Sequence, residues 1–331
     1  MRREVAVNWR AMPHLFRSPF ALRSLVAPRA LCSTFAASAL LFGAWSCKPE
    51  TPTTTVRGPR VSATAKRKRR TPRPIQVVDN GGNADGAVGA SNEGNLLLGN
   101  PSNAGKDENN YLLERPQYSL SFNHGKGESN WVAWHVDSAD FGDTDRGKFQ
   151  PDPELPAEWQ ITPADYKGSG FDRGHICPSG DRTSSRAEND ATFYMSNMLP
   201  QTAQLNQHIW ADLENYDRSQ VRAGNEIYQM SGGIGKAGTI ADGAVVVPQS
   251  CWKIVVILPQ GEGDLRRINA NTRVIAVNIP NTTDPKLQTE PWADYLTTVT
   301  SIEAKTGLRF FSKLPAKVQQ SLKDKRDNGE G

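Results

Sequence analysis

Between residues 172 and 218 the chain sets a histidine, an asparagine, a glutamate and an arginine at spacings that suit work on a phosphodiester. His175 ends the run Asp172-Arg173-Gly174-His175. Histidine is the side chain whose ordinary pKa lets it take a proton from water near neutral pH, and the glycine before it permits close backbone approach. Breaking a phosphodiester also requires neutralising charge on the phosphoryl oxygens and helping the leaving alkoxide. A hard cation does this through oxygen ligands, and Mg²⁺ keeps several waters when the protein supplies only one or two. The amide oxygen of Asn206 qualifies as such a ligand. The period of Leu205–Val221 predicts a helix on which Asn206, Glu214 and Arg218 lie at roughly 0°, 80° and 120°, with Ile209, Leu213 and Tyr216 at roughly 280° to 340°. One flank is polar and the other buries. The competing readings are a helix N-cap for Asn206 and a surface ion pair for Glu214 with Arg218.

These residues need a scaffold, and the chain alternates accordingly. Short apolar runs rich in β-branched and aromatic residues predict strands at Tyr118–Phe122, Trp131–Val136, Thr192–Met195, Glu226–Met230, Trp252–Leu258 and Arg273–Ile279, separated by Gly, Pro and Asn clusters. A second helical period runs over Trp292–Lys305, and no internal repeat is evident. The fold class that follows is α+β, a mostly antiparallel central sheet flanked by helices.

Beyond the tetrad stand Ile176-Cys177-Pro178-Ser179, Ser196-Asn197-Met198-Leu199-Pro200-Gln201, Leu205-Asn206 and Trp210-Ala211-Asp212-Leu213-Glu214. This constellation resembles the DNA/RNA non-specific endonucleases, the endonuclease G-like nucleases of the ββα-metal (His-Me finger) class, whose signature is DRGH with a later N…LN…W..LE stretch. The resemblance extends through Asn95-Leu96-Leu97-Leu98-Gly99-Asn100-Pro101, Asn130-Trp131-Val132-Ala133-Trp134, Ala164-Asp165-Tyr166 and Arg273-Val274-Ile275-Ala276-Val277, so it spans roughly 95–320. It implies a ββα-metal catalytic motif and a metal-dependent endonuclease that cuts DNA and RNA with little sequence preference. Matched position by position, it makes His175 the general base and Asn206 the direct ligand of Mg²⁺, with Mn²⁺ or another divalent cation as alternatives. Glu214 would orient the ion's waters. Arg146 and Arg218 would hold the scissile phosphate, and Arg173 and Asn197 would shape the site. The alternative is a catalytically silent nucleic-acid-binding relative, and a weaker one is an envelope-anchored effector governed by an inhibitor protein.

The rest of the chain reads as an export segment and a tether. Residues 1–75 hold 15 Lys/Arg against 2 Asp/Glu, while residues 76–331 hold 24 against 33, so the basic charge belongs to the N-terminus and the body is acidic. Such a body does not hold nucleic acid by bulk positive charge; placed arginines and a metal must do it. Six arginines precede an uncharged stretch from Ala30 to Ser46, the pattern of a signal segment over residues 1–46. Ala44-Trp45-Ser46-Cys47 resembles a bacterial lipoprotein box, with Trp45 a poor match, which makes Cys47 the candidate lipid anchor. An Arg-rich mitochondrial presequence is the alternative. Residues 47–93, with the run Lys66-Arg67-Lys68-Arg69-Arg70, read as a disordered basic tether, residues 94–320 as the nuclease domain and residues 321–331 as a disordered charged tail. An exported domain that keeps Cys177 and Cys251 has the pattern of one disulfide, with two buried free thiols as the alternative. Oligomeric state is not legible.

Overall fold

A computed structural model describes residues 94–330, so the signal segment, Cys47 and the tether lie outside the described residues. Strands β1 (Lys106–Asp107), β2 (Asn110–Glu114), β3 (Ser119–Asn123) and β4 (Glu128–Val136) come first. Next are β5 (Asp172–His175), helix α1 (Arg186–Ala191), β6 (Met198–Gln201) and helix α2 (Trp210–Arg222). Strands β7 (Asn225–Ile234), β8 (Gly238–Ile240), β9 (Val245–Val247) and β10 (Ser250–Pro259) follow, then helix α3 (Asp264–Arg267), β11 (Arg273–Pro280), α4 (Val299–Thr306) and α5 (Ala316–Asp324). Seven strands form one antiparallel sheet in the order β1-β2-β3-β4-β7-β10-β11.

Strand alternation sends side chains to two cores, one on each face of this sheet. In β4, Val132, Trp134 and Val136 join one core while Trp131 and Ala133 join the other. In β10 the same split separates Cys251, Val255 and Ile257 from Trp252, Ile254, Val256 and Leu258. With both faces covered, β10 is an almost unbroken apolar run, and its first nine residues are all buried. The first core also takes Leu199 of β6 and Trp210 and Leu213 of α2; the second takes Val299 and Ile302 of α4 and Leu322 of α5. The ββα unit made by β5, β6 and α2 therefore rests on one face of the sheet, and the C-terminal helices cover the other. The fold class is α+β, as the residue pattern predicts.

Four local expectations change. Thr192–Met195 is not a strand: Tyr194 makes only an isolated bridge to Gln150, and a 3₁₀ turn occupies Met195–Asn197. The Thr192 carbonyl is taken by the Asn197 side-chain amide at 2.8 Å, which removes it from any ladder. The Trp292–Lys305 period is broken into a 3₁₀ turn over Trp292–Tyr295 and α4, with Thr298 capping α4 through its hydroxyl on the Ser301 amide. The tail is not free of structure. Helix α5 runs to Asp324 with Leu322 buried, and Asp327 accepts two bonds from Arg273 at 2.9 Å each. Finally, Cys177 and Cys251 are free thiols, both buried, so the expected disulfide is replaced by its alternative.

Candidate active site

The antiparallel β5–β6 hairpin, with Asp172 opposite Gln201 and His175 opposite Met198, presents the tetrad at its rim. The 22 residues from 176 to 197 that join these strands are held by Asn197, which is fully buried. Its Oδ1 accepts from the Cys177 amide at 2.9 Å, and its Nδ2 donates to the Cys177 and Thr192 carbonyls, each at 2.8 Å. With every polar atom of its amide committed to backbone, Asn197 buttons down the segment after His175 and does not reach the cavity. Asn197→Ala leaves these groups unpaired and should lower stability by about 1–3 kcal/mol. Thermal melting of the variant checks this, and its residual activity at low temperature should stay close to wild type.

Gly174 has a steric reason. A Cβ there would stand 1.9 Å from the Gln201 Oε1 and 2.4 Å from its Cδ, and Gln201 is itself buried. Gly174→Ala should cost about 1–3 kcal/mol by overpacking and push His175 out of place, seen as a lower melting temperature together with lost activity.

A cavity of about 820 Å³ is lined by Arg146, Arg173, His175, Asn206, Glu214 and Arg218 among others. Six of the seven residues singled out in the sequence meet here; Asn197 alone does not. His175 packs between Phe149 and Phe193, at ring-centroid distances of 5.5 and 4.7 Å, and its Nε2 has no hydrogen-bond partner among the described residues. Burial, helped by the nearby Arg146 guanidinium, lowers the imidazole pKa to about 3, so the ring is neutral at physiological pH. Arg146 is exposed, lies over the Phe193 ring at 5.4 Å, and has no ion pair among the described residues. Its segment is pinned where the Gly147 amide donates to the Asn189 Oδ1 at 2.9 Å. Arg173 donates to the Pro163 carbonyl at 2.8 Å and covers the Phe149 ring, which makes it a wall of the pocket.

Asn206 sits in a π turn, Leu205–Ile209, that leads into α2, with the Trp210 amide donating to the Leu205 carbonyl five residues back. One extra residue in the turn retards the helix by about 100°. The predicted offsets of 80° and 120° thereby shrink, and Asn206, Glu214 and Arg218 come within roughly 20° of one face. The N-cap reading falls with this geometry. The Asn206 amide already bonds the Thr202 carbonyl at 2.9 Å, and the Thr202 hydroxyl accepts from the Leu205 amide at 3.3 Å.

Asp172, quoted in the tetrad but given no role there, accepts from the Asn206 Nδ2 at 2.9 Å and from the Gln207 Nε2 at 2.8 Å. Because the nitrogen side of the Asn206 amide is engaged, its oxygen side is left for the cavity. Burial raises the Glu214 carboxyl pKa to about 7, opposed by the cations Lys253 and Arg218. Arg218 is less open than expected, with Nη1 on the Asp181 carboxylate at 3.0 Å and 3.9 Å from Glu214, and Nη2 on the Asn215 Oδ1 at 2.8 Å. Trp210 is buried, a packing residue. Lys167, Asp172 and Gln207 also line the cavity, and only Asp172 stood within a motif.

The sequence profile of the DNA/RNA non-specific endonucleases matches residues 99–317. A nuclease of Nostoc sp. is 48% identical over 238 residues, covering 70% of this chain and 86% of the relative. Nuclease C1 of Cunninghamella echinulata var. echinulata is 34% identical over 242 residues, covering 68% and 90%. The mitochondrial endonuclease G of Homo sapiens is 32% identical over 222 residues, covering 62% and 71%. Among solved structures, a chain of an EndoG/EndoGI complex superposes with a TM-score of 0.59 at 24% identity, covering 74% of this chain and 99% of that one.

Proposed function

The chain belongs to the DNA/RNA non-specific endonuclease family, and from that premise we propose that it hydrolyses phosphodiester bonds of DNA and RNA with a bound divalent cation, Mg²⁺ before Mn²⁺. The observation that carries the reading is the Asn206 amide, whose nitrogen is committed to Asp172 while its oxygen accepts no bond among the described residues, on the same cavity as a neutral, unpartnered histidine. One neutral oxygen suits a hard cation that keeps most of its waters. When bound, such an ion neutralises charge on the phosphoryl oxygens and eases departure of the leaving oxygen.

The chain's own residues divide the remaining work. An imidazole nitrogen of His175, held in its neutral form, accepts the proton of the attacking water. Arg146, with no carboxylate partner, offers its guanidinium to the non-bridging oxygens, and Arg218 backs Glu214 from the helix. Glu214, on the same cavity, would in its charged form accept hydrogen bonds from water brought in with the ion. Contacts confined to phosphate and metal carry no base information, which supports cleavage with little sequence preference. The arginine-led apolar stretch before Cys47 supports export, to the envelope or beyond.

Digestion of supercoiled plasmid and of RNA by the purified protein tests this reading. Both substrates should be cut with Mg²⁺ and spared with EDTA. Cleavage that persists in EDTA, or none with any divalent ion, would overturn it.

A further inference from the structure

Lys253 is the one charged residue inside the otherwise apolar run of β10, and it is fully buried. Its place in the strand sends it to the face that carries α2. There its Nζ lies 5.6 Å from the centroid of Trp134, 5.0 Å from that of Trp210 and 3.4 Å from the Asp217 Oδ2. The other oxygen of Asp217 has no hydrogen-bond partner among the described residues. A buried ion pair repays its desolvation only with close, complete hydrogen bonding, and an apolar residue of the same volume is often at least as stable. One long hydrogen bond, beside two indole faces, leaves an ammonium with three donors incompletely satisfied, so the charge itself is the feature to explain.

Asp217 lies one helical turn beyond Glu214, which lines the catalytic cavity. The cluster holds three carboxylates, Glu214, Asp217 and Asp181, against two cations, Lys253 and Arg218; Lys253, Asp217 and Asp181 are buried, while Glu214 and Arg218 stand at the cavity wall. Lys253 meets α2 one turn to either side of Glu214, at the Trp210 ring and at Asp217. Arg218 spends its closer contact on Asp181. Without Lys253 a single guanidinium would face three carboxylates in a poorly hydrated setting, and keeping all of them ionised would cost more. We propose that Lys253 is a positioning residue of this site, its buried ammonium acting from beneath α2 to hold Glu214 in the charged state that the reaction uses. The inference rests on the reading above, in which Glu214 serves phosphodiester cleavage.

The groups that act on Glu214 are Lys253 of β10, Arg218 and Asp217 of α2 and Asp181 of the turn Ser179–Asp181. Across the cavity stand Arg146, Lys167, Asp172, Arg173 and His175. Lys253 is the strongest of the opposing charges and Asp217 the weakest contributor, so removing both still leaves Glu214 harder to ionise.

The test follows the Glu214 carboxyl by ¹³C NMR of Glu-labelled full-length protein in EDTA, the signal being assigned by its loss in Glu214→Gln. Lys253→Met should raise the titration midpoint by about one pH unit or more. Lys253→Met/Asp217→Asn, which removes both members of the buried pair, should keep a raised midpoint even where the single variant folds poorly. The acid limb of Mg²⁺-dependent cleavage should move up with it, with activity recovering at alkaline pH. An unmoved midpoint in either folded variant, or a rate lowered equally at all pH, overturns the inference and leaves the nuclease reading intact. A wild-type protein that cleaves nothing sinks that reading instead, while a midpoint that moves as stated still establishes the electrostatic coupling.

Discussion

His175→Ala lowers kcat by a factor on the order of 10² to 10⁴, the usual worth of a positioned general base, with little change in KM. The ring contributes packing as well as chemistry, since it lies between Phe149 and Phe193. A modest drop in melting temperature is therefore expected, and activity must be compared well below it. Added imidazole should restore part of the rate, because the vacated space between the two phenyl rings admits it. Burial and Arg146 hold the His175 pKa far below that of an ordinary histidine, so the neutral base persists down the acid range. In the metal-free protein burial raises the Glu214 carboxyl to about 7, and a bound cation brings it down; acid loss of wild-type activity should therefore arise at Glu214, at a pH that falls as Mg²⁺ is added, and not at His175. An Ala variant that cleaves plasmid at the wild-type rate would remove His175 from the mechanism.

Asn206 makes the second large effect. Asn206→Ala should raise the Mg²⁺ concentration for half-maximal rate about 10- to 100-fold and reduce the maximal rate, since the ion keeps only water and substrate oxygens. Stability should change little, because Thr202 and not Asn206 caps the turn. Asn206→Asp behaves differently. It loses the donor that Asp172 accepts and sets two carboxylates together, so the metal-free protein should melt lower and gain more from added Mg²⁺ than wild type does. Its rate should also fall, because the extra negative charge offsets the cation's stabilisation of the transition state. Calorimetric melts with and without Mg²⁺, beside a Mg²⁺ titration of cleavage, decide the matter. An unchanged Mg²⁺ requirement in Asn206→Ala would transfer the ligand role elsewhere.

The residues themselves determined the α+β class, the long strands of the central sheet and four residues that line the cavity, His175, Asn206, Glu214 and Arg218, while the family resemblance of the sequence added Arg146 and Arg173. Each of these is written in local terms. The long strands are legible because apolar cores on both sheet faces make them nearly continuous runs of β-branched and aromatic residues, and the DRGH run is legible because its four residues are contiguous in one short strand, β5. What the tertiary structure decided is of another kind. The button role of Asn197 depends on backbone groups at positions 177 and 192 that it meets only after folding. The fate of Cys177 and Cys251 depends on where the bend after β5 and the distant strand β10 place their buried side chains. The π turn is invisible to a count of 100° per residue, yet it is what draws Asn206, Glu214 and Arg218 onto one face. Lys253 interrupts an apolar strand in the sequence; only the packing of α2 against β10 reveals that its charge meets Asp217, one turn beyond Glu214. Periodicity carries the short-range preferences of the chain, whereas hydrogen-bond partners, helix register and buried charge pairs are set by segments that are far apart until the core closes.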